Sequence, residues 1–272
     1  MTPFELQFAK AHAYGNDFLY VRQADAAGLP PDALARALCD RHAGIGADGL
    51  ILYDGTSTQA TMRLFNADGS RAEVSGNGVR GLAALLLRGD NSPGAVIAIR
   101  TEGGVKRLVR TDVTAVRQTF RAEMGAPLDL RQVSIDIDGE VLPAVVLNMG
   151  NPQCVILGPL PSDEAFSRIG HAVERHHLFR EGTNVEFVQV ETPKRLRIRI
   201  WERGVGPTTS SGTGSCAALV AAAAFGGAER DAEVIAPGGA QRVEWSDHNV
   251  FLTGWAEVIC EGTWLLQIPR TS

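Results

Sequence analysis

Long apolar runs are missing from this chain of 272 residues. The longest, Cys216 to Phe225, falls well short of the ~20 residues that span a bilayer. An excess of positive charge is missing too. Lys and Arg number 26 against 31 Asp and Glu, a net charge of −5, so no basic footprint marks nucleic acid or an anionic membrane as a partner. The N-terminus, Met1-Thr-Pro-Phe-Glu-Leu, lacks the basic-then-apolar order of a signal peptide. Cysteines are few and scattered: Cys39, Cys154, Cys216 and Cys260 form no CxxC pair. They read as reduced, small apolar fillers. These absences exclude membrane-spanning, disulfide-stapled and disordered classes, and leave a cytoplasmic protein as the expectation. With 44% apolar residues, the chain is long enough for one large or two medium cores. Glycine, by contrast, is abundant at 30 residues.

The glycines are organised as an internal repeat. Gly15-Asn16 returns as Gly150-Asn151. Gly46 returns as Gly182, and Ser75-Gly76-x-Gly78 as Ser211-Gly212-x-Gly214. Gly103-Gly104 returns as Gly238-Gly239. At every landmark the offset is half the chain length, to within a single position. The pattern therefore implies two similar lobes, residues 1–126 and 127–272, joined near Gly125-Ala126-Pro127. The last strand is free to pack back on the first lobe.

Most segments alternate with period two. Phe4, Leu6 and Phe8 alternate with polar residues, as do Leu196, Ile198 and Ile200. Segments 96–99, 105–109, 185–190 and 232–235 are rich in β-branched residues between turns. Pro31 to Cys39 and Ser162 to His177 show helical spacing. Gly78 to Arg88 and Gly214 to Phe225 are apolar around almost the whole circumference, which predicts buried helices. Each is followed by glycine, Gly89 or Gly226-Gly227, a usual helix stop. The expected fold class is α+β: two pseudo-symmetric, β-rich lobes, each wrapped around a central apolar helix.

Both central helices start at the repeated Ser-Gly-x-Gly. Gly76-x-Gly78-x-x-Gly81 also matches a dinucleotide loop, but that fingerprint needs alternating strands and helices, and the flanks here look antiparallel. Without a nucleotide, exposed N–H groups at a helix start still make an anion site. The bland alternative is that the glycines only let each helix pack closely. Polar residues on loops surround these starts: Asn16, Asn66 to Ser70, Asn151, Asn184 and Glu202-Arg203-Gly204. An Asn in a turn is usually a turn former; adjacent opposite charges at a strand end are less easily explained.

Seven stretches together carry a resemblance. They are Gly15-Asn16-Asp17-Phe18, Arg41-His42-x-Gly44-Ile45-Gly46-x-Asp48, Phe65-Asn66-Ala67-Asp68-Gly69-Ser70, Gly76-Asn77-Gly78-x-Arg80, Gly150-Asn151-Pro152, Asn184-Val185 and Glu202-Arg203-Gly204-x-Gly206. In this order they resemble the diaminopimelate epimerase family, from about residue 8 to residue 225. The resemblance implies a two-lobe fold and an isomerase that epimerises an amino acid without pyridoxal phosphate or metal, acting between the lobes. It implies that Asn66, Asn151, Asn184 and Arg203 hold the distal end of a small amino-acid substrate. Asn16 and Glu202 would lie near the reacting end, with the N–H groups of Gly76-Asn77 and Gly212-Thr213 on its carboxylate. It also implies a homodimer. The six histidines form no ligand spacing, and His171, His176 and His177 read as solvated.

The chain departs from the family where the chemistry happens. The family places one cysteine before each Gly-x-Gly, one thiolate taking the α-proton while the opposite thiol returns another. Here those positions are Ser75 and Ser211. The family's His after Asn-Pro is Gln153, whereas its helper Glu is kept as Glu202. Cys216 matches a non-catalytic cysteine of the family. A thiol of pKa about 8.5 is a few per cent thiolate at pH 7; an alcohol resembles water, with a pKa of about 15.7. That gap of roughly seven units is on the order of 10 kcal/mol, of which a helix N-terminus recovers only about 0.3–2 kcal/mol. Serine therefore does not work as a pre-ionised base. Three readings stay open: Ser75 and Ser211 relay protons for groups such as Glu202, both cysteines were replaced by design, or the protein binds an amino acid without turning it over. The change at Gln153 favours a natural lineage. A racemase or dehydratase of another amino acid is the rival within enzymes.

Overall fold

The computed structural model describes residues 4–72, 75–90 and 92–266. The chain forms two compact units, Met1–Ala122 with Trp255–Ser272, and Glu123–Gly254. In chain order the elements are β1 (Phe4–Ala13), β2 (Asn16–Arg22), α1 (Pro31–Cys39), β3 (Gly49–Gly55), β4 (Gln59–Asn66), β5 (Arg71–Ala72), α2 (Gly76–Leu86), β6 (Val96–Thr101), β7 (Gly104–Val113) and β8 (Arg117–Gly125). They continue with β9 (Leu128–Ile137), β10 (Glu140–Asn148), β11 (Pro152–Leu157), α3 (Asp163–Glu174), β12 (Asn184–Thr192), β13 (Arg195–Glu202), β14 (Gly206–Thr208), α4 (Gly212–Phe225), β15 (Asp231–Ala236), β16 (Gly239–Trp245) and β17 (Val250–Leu266). The fold class is α+β.

Each unit repeats one plan. In the first, β2 and β3 run parallel with α1 between them in sequence, and β4 runs parallel to β6 with α2 between them. In the second, β11 and β12 are parallel across α3, and β13 and β15 across α4. The remaining ladders of β1, β2, β7 and β8, and of β9, β10 and β16, are antiparallel. The expectation of antiparallel flanks around the central helices is thus corrected. Period-two patterning reports a half-buried strand, not the direction of its neighbour.

The inner strands are covered on both faces. On one face of β2 and β3, Leu19, Val21, Leu50 and Leu52 join Leu34 and Leu38 of α1 in a core cluster. On the other, Tyr20 and Ile51 meet α2: a Cβ on Gly81 would lie 2.1 Å from Tyr20 Oη, and one on Gly78 2.8 Å from Ile51 Cδ1. In the second unit Val185 and Phe187 of β12 pack with Phe166 and Val173 of α3. Residues 212–222 of α4 are buried throughout. A strand buried on both faces reads as a continuous apolar run, as in Leu50-Ile51-Leu52.

Helix ends differ slightly from expectation. The central helices begin at Gly76 and Gly212, because Ser75 and Ser211 themselves are the N-caps. Helix α3 stops at Glu174, short of His176 and His177. Helix α2 ends at Leu86, with Leu87 rather than Gly89 as its C-cap; the Leu87 N–H bonds back to the Ala83 and Leu85 carbonyls, so no left-handed residue is needed there. No helix among the described residues is long and apolar enough to cross a membrane.

Candidate functional site

In the first unit the tight turn between β1 and β2 aims Asn16. Ala13 pairs with Asn16, and the two turn residues, Tyr14 and Gly15, have φ of 56° and 85°. Both positions of this hairpin type require positive φ, which a tyrosine adopts only when its surroundings compel it. Those surroundings are Trp255, whose ring centroid lies 4.5 Å from that of Tyr14 and whose backbone N–H donates to Tyr14 Oη at 3.2 Å, and the Arg80 guanidinium over the ring. Asn16 Nδ2 donates to Asp48 Oδ2 at 2.8 Å, and its oxygen accepts from Asn77 Nδ2 at 3.1 Å. The Asn77 oxygen accepts from Arg80, which is fully buried. Ser75 Oγ accepts from Gly78 N at 3.1 Å.

The Arg41-to-Asp48 motif is a clamp behind Asn16. Arg41 reaches Asp17 at 2.9 Å and Asp48 at 2.8 Å, while Lys10 lies 2.9 Å from Asp17. Burial pushes the Asp17 carboxyl up, but hydrogen bonds from Arg41 and Lys10 outweigh it and hold the group below its usual range. The Ala67 N–H donates to the Asp48 carbonyl, tying the Asn66-to-Ser70 turn to the same clamp. Asn66 itself is held in that turn, its Nδ2 donating to Ser70 Oγ at 3.0 Å.

In the second unit Ser211 Oγ accepts from Gly214 N, also at 3.1 Å. Thr213 Oγ1 lies 3.5 Å from Ser211 Oγ and 3.4 Å from the Asn151 amide. The Gly212 and Thr213 N–H groups stand at the open end of α4, where no intrahelical acceptor exists. Gln153 is buried. With its nitrogen turned inward, it donates to Glu186 Oε1 at 2.9 Å; its oxygen accepts from Thr213 Oγ1 at 3.3 Å and Asn184 Nδ2 at 3.2 Å. The Asn184 oxygen accepts from the Arg203 N–H at 2.9 Å. The Glu202-Arg203-Gly204 turn is fixed by Glu174 at the end of α3, which accepts from Trp201 Nε1 at 2.7 Å and Gly204 N at 2.8 Å. Arg203 Nη1 donates to the Glu181 carbonyl, and among the described residues its guanidinium pairs with no carboxylate.

Within each unit, then, most residues singled out from the sequence converge on a helix start; Asn66 stays in its own turn, on Ser70. Asn16, Asn77 and Ser75 share the start of α2; Asn151, Gln153, Thr213 and Ser211 share that of α4, with Asn184, Glu202 and Arg203 on the adjoining strand ends. The second glycines of the repeated motif serve packing, since their N–H groups cap back to serine and their Cβ positions are occupied. The packing and anion-site readings of the motif therefore divide between its two glycines.

Sequence reasoning assigned no role to two buried groups. Glu186 is fully buried against α4, and burial, then the negative charge of Glu202, pushes its carboxyl well above the usual range. Arg80 supports Asn77 as described. No cysteine stands in for the absent thiols. Burial, then the charges of Asp17 and Asp48, pushes the Cys39 thiol up to about 12; burial likewise raises Cys154. Cys216 is buried, whereas Cys260 is exposed and so is not the filler expected. Among the described residues no group of three or more His, Cys, Asp or Glu side chains is placed to hold a metal ion.

The fold is shared with solved epimerases and isomerases. A hydroxyproline epimerase from Agrobacterium vitis superposes with a TM-score of 0.72 at 12% identity, over 96% of this chain and 91% of the other. A phenazine biosynthesis protein of the PhzF family from Bacillus anthracis gives 0.70 at 16% identity, over 96% and 99%. Sequence relatives are closer. The diaminopimelate epimerase of Desulforudis audaxviator is 38% identical over 96% of this chain and 99% of its own length; that of Nostoc punctiforme is 38% identical over 94% and 99%. The diaminopimelate epimerase family profile matches residues 8–128 and 145–259, nearly the whole length, and the chain belongs to the diaminopimelate epimerase family.

Proposed function

We propose that this protein is a cofactor-independent amino-acid epimerase that interconverts LL- and meso-2,6-diaminopimelate in the cytoplasm, on the route to lysine and cell-wall precursors. In this reading Ser75 and Ser211, each at the start of its own unit's central helix, take the two positions where the family carries its bases. The observation that carries the reading is the matched pair of helix starts, each with a serine oxygen 3.1 Å from the third N–H of its helix and with amides gathered beside it. A carbanion next to a carboxylate gathers negative charge, which helix N-termini stabilise. Arg203, whose guanidinium pairs with no carboxylate among the described residues, suits the distal carboxylate of the substrate, and a planar guanidinium binds such a group through two parallel hydrogen bonds.

Because a serine hydroxyl is not ionised at working pH, proton removal here requires a carboxylate partner. Glu202 is that partner on the α4 side. Turnover is consequently slower than a thiol pair supports. A non-catalytic amino-acid-binding protein is the second reading, favoured by the same two serines. Incubation with LL-diaminopimelate in D₂O, followed by proton NMR, separates them. Loss of the α-proton signal with appearance of the meso isomer supports the epimerase. Saturable binding with no exchange supports the binding protein.

A further inference from the structure

The two units place different residues at the same structural positions. Phe18, Gly49 and Ile51 in the first correspond, at the offset that separates Gly15 from Gly150, to Gln153, Asn184 and Glu186 in the second. The ladders agree: Phe18 pairs with Gly49, and Gln153 with Asn184, across parallel strands. Ile51 and Glu186 also approach the same point of their central helices. Ile51 Cδ1 lies 2.8 Å from where a Gly78 Cβ would sit, and Glu186 Oε1 lies 2.7 Å from the matching point on Gly214. The first unit builds this wall without a polar side chain at any of the three places. Packing of the scaffold therefore does not explain the two amides and the carboxyl of the second.

The three polar residues are joined, and the joints run in one direction. Gln153 Nε2 donates to Glu186, 2.9 Å from Oε1 and 3.3 Å from Oε2. The Gln153 oxygen accepts from Asn184 Nδ2 at 3.2 Å, and the Asn184 oxygen accepts from the Arg203 backbone N–H at 2.9 Å. Reversing the Gln153 amide would set nitrogen against nitrogen at Asn184, whose Nδ2 is also held by the Pro152 carbonyl at 3.2 Å. Glu186 is thus the terminal acceptor of the chain. Burial raises its carboxyl, and in either protonation state an oxygen is left to accept. Gln153, Asn184 and Glu186 are all buried, where a polar group without its partner is costly and a complete chain is rigid.

The outer end of the chain is the turn that carries Arg203. From α3, Glu174 holds this turn at Trp201 Nε1 and Gly204 N. The Asn184 oxygen supplies the anchor between those two, at Arg203 itself. Beyond the anchor the Arg203 side chain runs along Gly182, where a Cβ would lie 3.2 Å from Arg203 Cδ. We propose that Glu186 is a positioning residue for Arg203: through Gln153 and Asn184 it fixes the Arg203 backbone, and with it the point from which the guanidinium reaches out. Two-pronged binding of a carboxylate is geometrically demanding, so a loosened origin weakens it. The consequence for substrate rests on the reading of Arg203 as the holder of a carboxylate; the chain is a property of the protein alone.

Amide hydrogen exchange in the whole protein without ligand tests the chain. Glu186→Ile supplies the side chain that the first unit uses at this place and removes the acceptor. It should speed exchange of the Arg203 N–H about 5- to 10-fold, the worth of one hydrogen bond, while amides of the first unit exchange as in the parent. Glu186→Gln keeps an acceptor and should leave the Arg203 N–H within about 2-fold of the parent. Gln153→Met cuts the chain one link along and should repeat the effect of Glu186→Ile. An Arg203 N–H unmoved by both cuts overturns the proposal. So does equal loss of protection in Glu186→Gln and Glu186→Ile, since an acceptor would then not be what Glu186 supplies. Calorimetry with meso-diaminopimelate reads the consequence: affinity should fall by a similar factor in Glu186→Ile and be rescued in Glu186→Gln. If exchange behaves as expected but the parent binds no diaminopimelate, the proposed function fails and the chain stands. If the parent binds it and Glu186→Ile binds it as tightly, Glu186 does not position Arg203.

Discussion

At the start of α2 the wall behind the helix is built from Phe18, Gly49, Ile51 and Asn66; at the start of α4 it is built from Gln153, Asn184, Glu186 and Glu202. The ladders align them, Phe18 beside Gly49 and Gly49 beside Asn66 in one unit, Gln153 beside Asn184 in the other. Ring, hydrogen and aliphatic chain are exchanged for amide, amide and carboxyl on one backbone plan. The first half-site is held by an ion-pair clamp, Arg41 and Lys10 on Asp17 and Asp48, with the buried Arg80 on Asn77; the second is held by carboxyls and amides. A duplicated scaffold can thus keep its geometry while its two copies acquire different electrostatic characters.

The largest effects follow from exchanging the two walls. Ile51→Glu puts a carboxyl where Phe18, not Gln153, is its neighbour, and at pH 8 it should cost about 3–5 kcal/mol in urea unfolding. The converse change should be mild and pH-dependent. Glu186 binds its proton more tightly folded than unfolded, so the stability it contributes is complete below the usual 4.5 and is lost as pH rises toward its raised folded value. Glu186→Gln should therefore flatten the fall in melting temperature between pH 5 and 8. A parallel fall in both proteins contradicts this account of the wall.

Arg203→Lys comes next. Losing the two-pronged guanidinium contact should weaken binding of meso-diaminopimelate by about 10- to 100-fold in calorimetry, since hydrogen bonds to charged groups contribute about 1.5–3 kcal/mol. Unchanged affinity would remove Arg203 from the site.

What was legible in the sequence, and what was not, follows the same contrast. The repeat was legible because backbone geometry dictated it: Gly15 and Gly150, and Gly46 and Gly182, all have φ between 75° and 92°, where side chains are disfavoured. The buried central helices were legible from their unbroken apolar composition. Glu186 was not. In Asn184-Val185-Glu186-Phe187 it reads as the outward, solvated position of an alternating strand, yet this strand has helices over both faces. The one sequence signal was its repeat partner, Ile51, inside an apolar run. Arg80 was hidden similarly, as a single charge in a helix otherwise apolar. Parallel crossovers were missed because strand direction leaves no mark on period-two alternation.

Smaller effects sharpen the comparison of the helices themselves. Gly81→Ala would place a Cβ 2.1 Å from Tyr20 Oη, whose hydroxyl donates to the Gly78 carbonyl at 3.0 Å. Overpacking of that kind should cost about 1–3 kcal/mol. The matching place on α4 already carries alanine, Ala217, and Ala217→Gly should cost only about 1 kcal/mol. The two caps should be equivalent: Ser75→Ala and Ser211→Ala each lose one cap hydrogen bond of the same length, about 1 kcal/mol apiece. A large difference between them in thermal unfolding would show that one serine is held by more than its helix.

The central proposal is that Ser75 and Ser211 stand at the two positions where the family carries its bases. Changing both to cysteine restores groups that ionise near working pH. Proton NMR of LL-diaminopimelate in D₂O, with the parent, both single variants and Ser75→Cys/Ser211→Cys, tests it most directly. The account predicts α-proton exchange and meso product far faster in the double variant than in the parent, with each single variant gaining much less. A double variant no faster than the parent, or a single cysteine giving the whole gain, would contradict it.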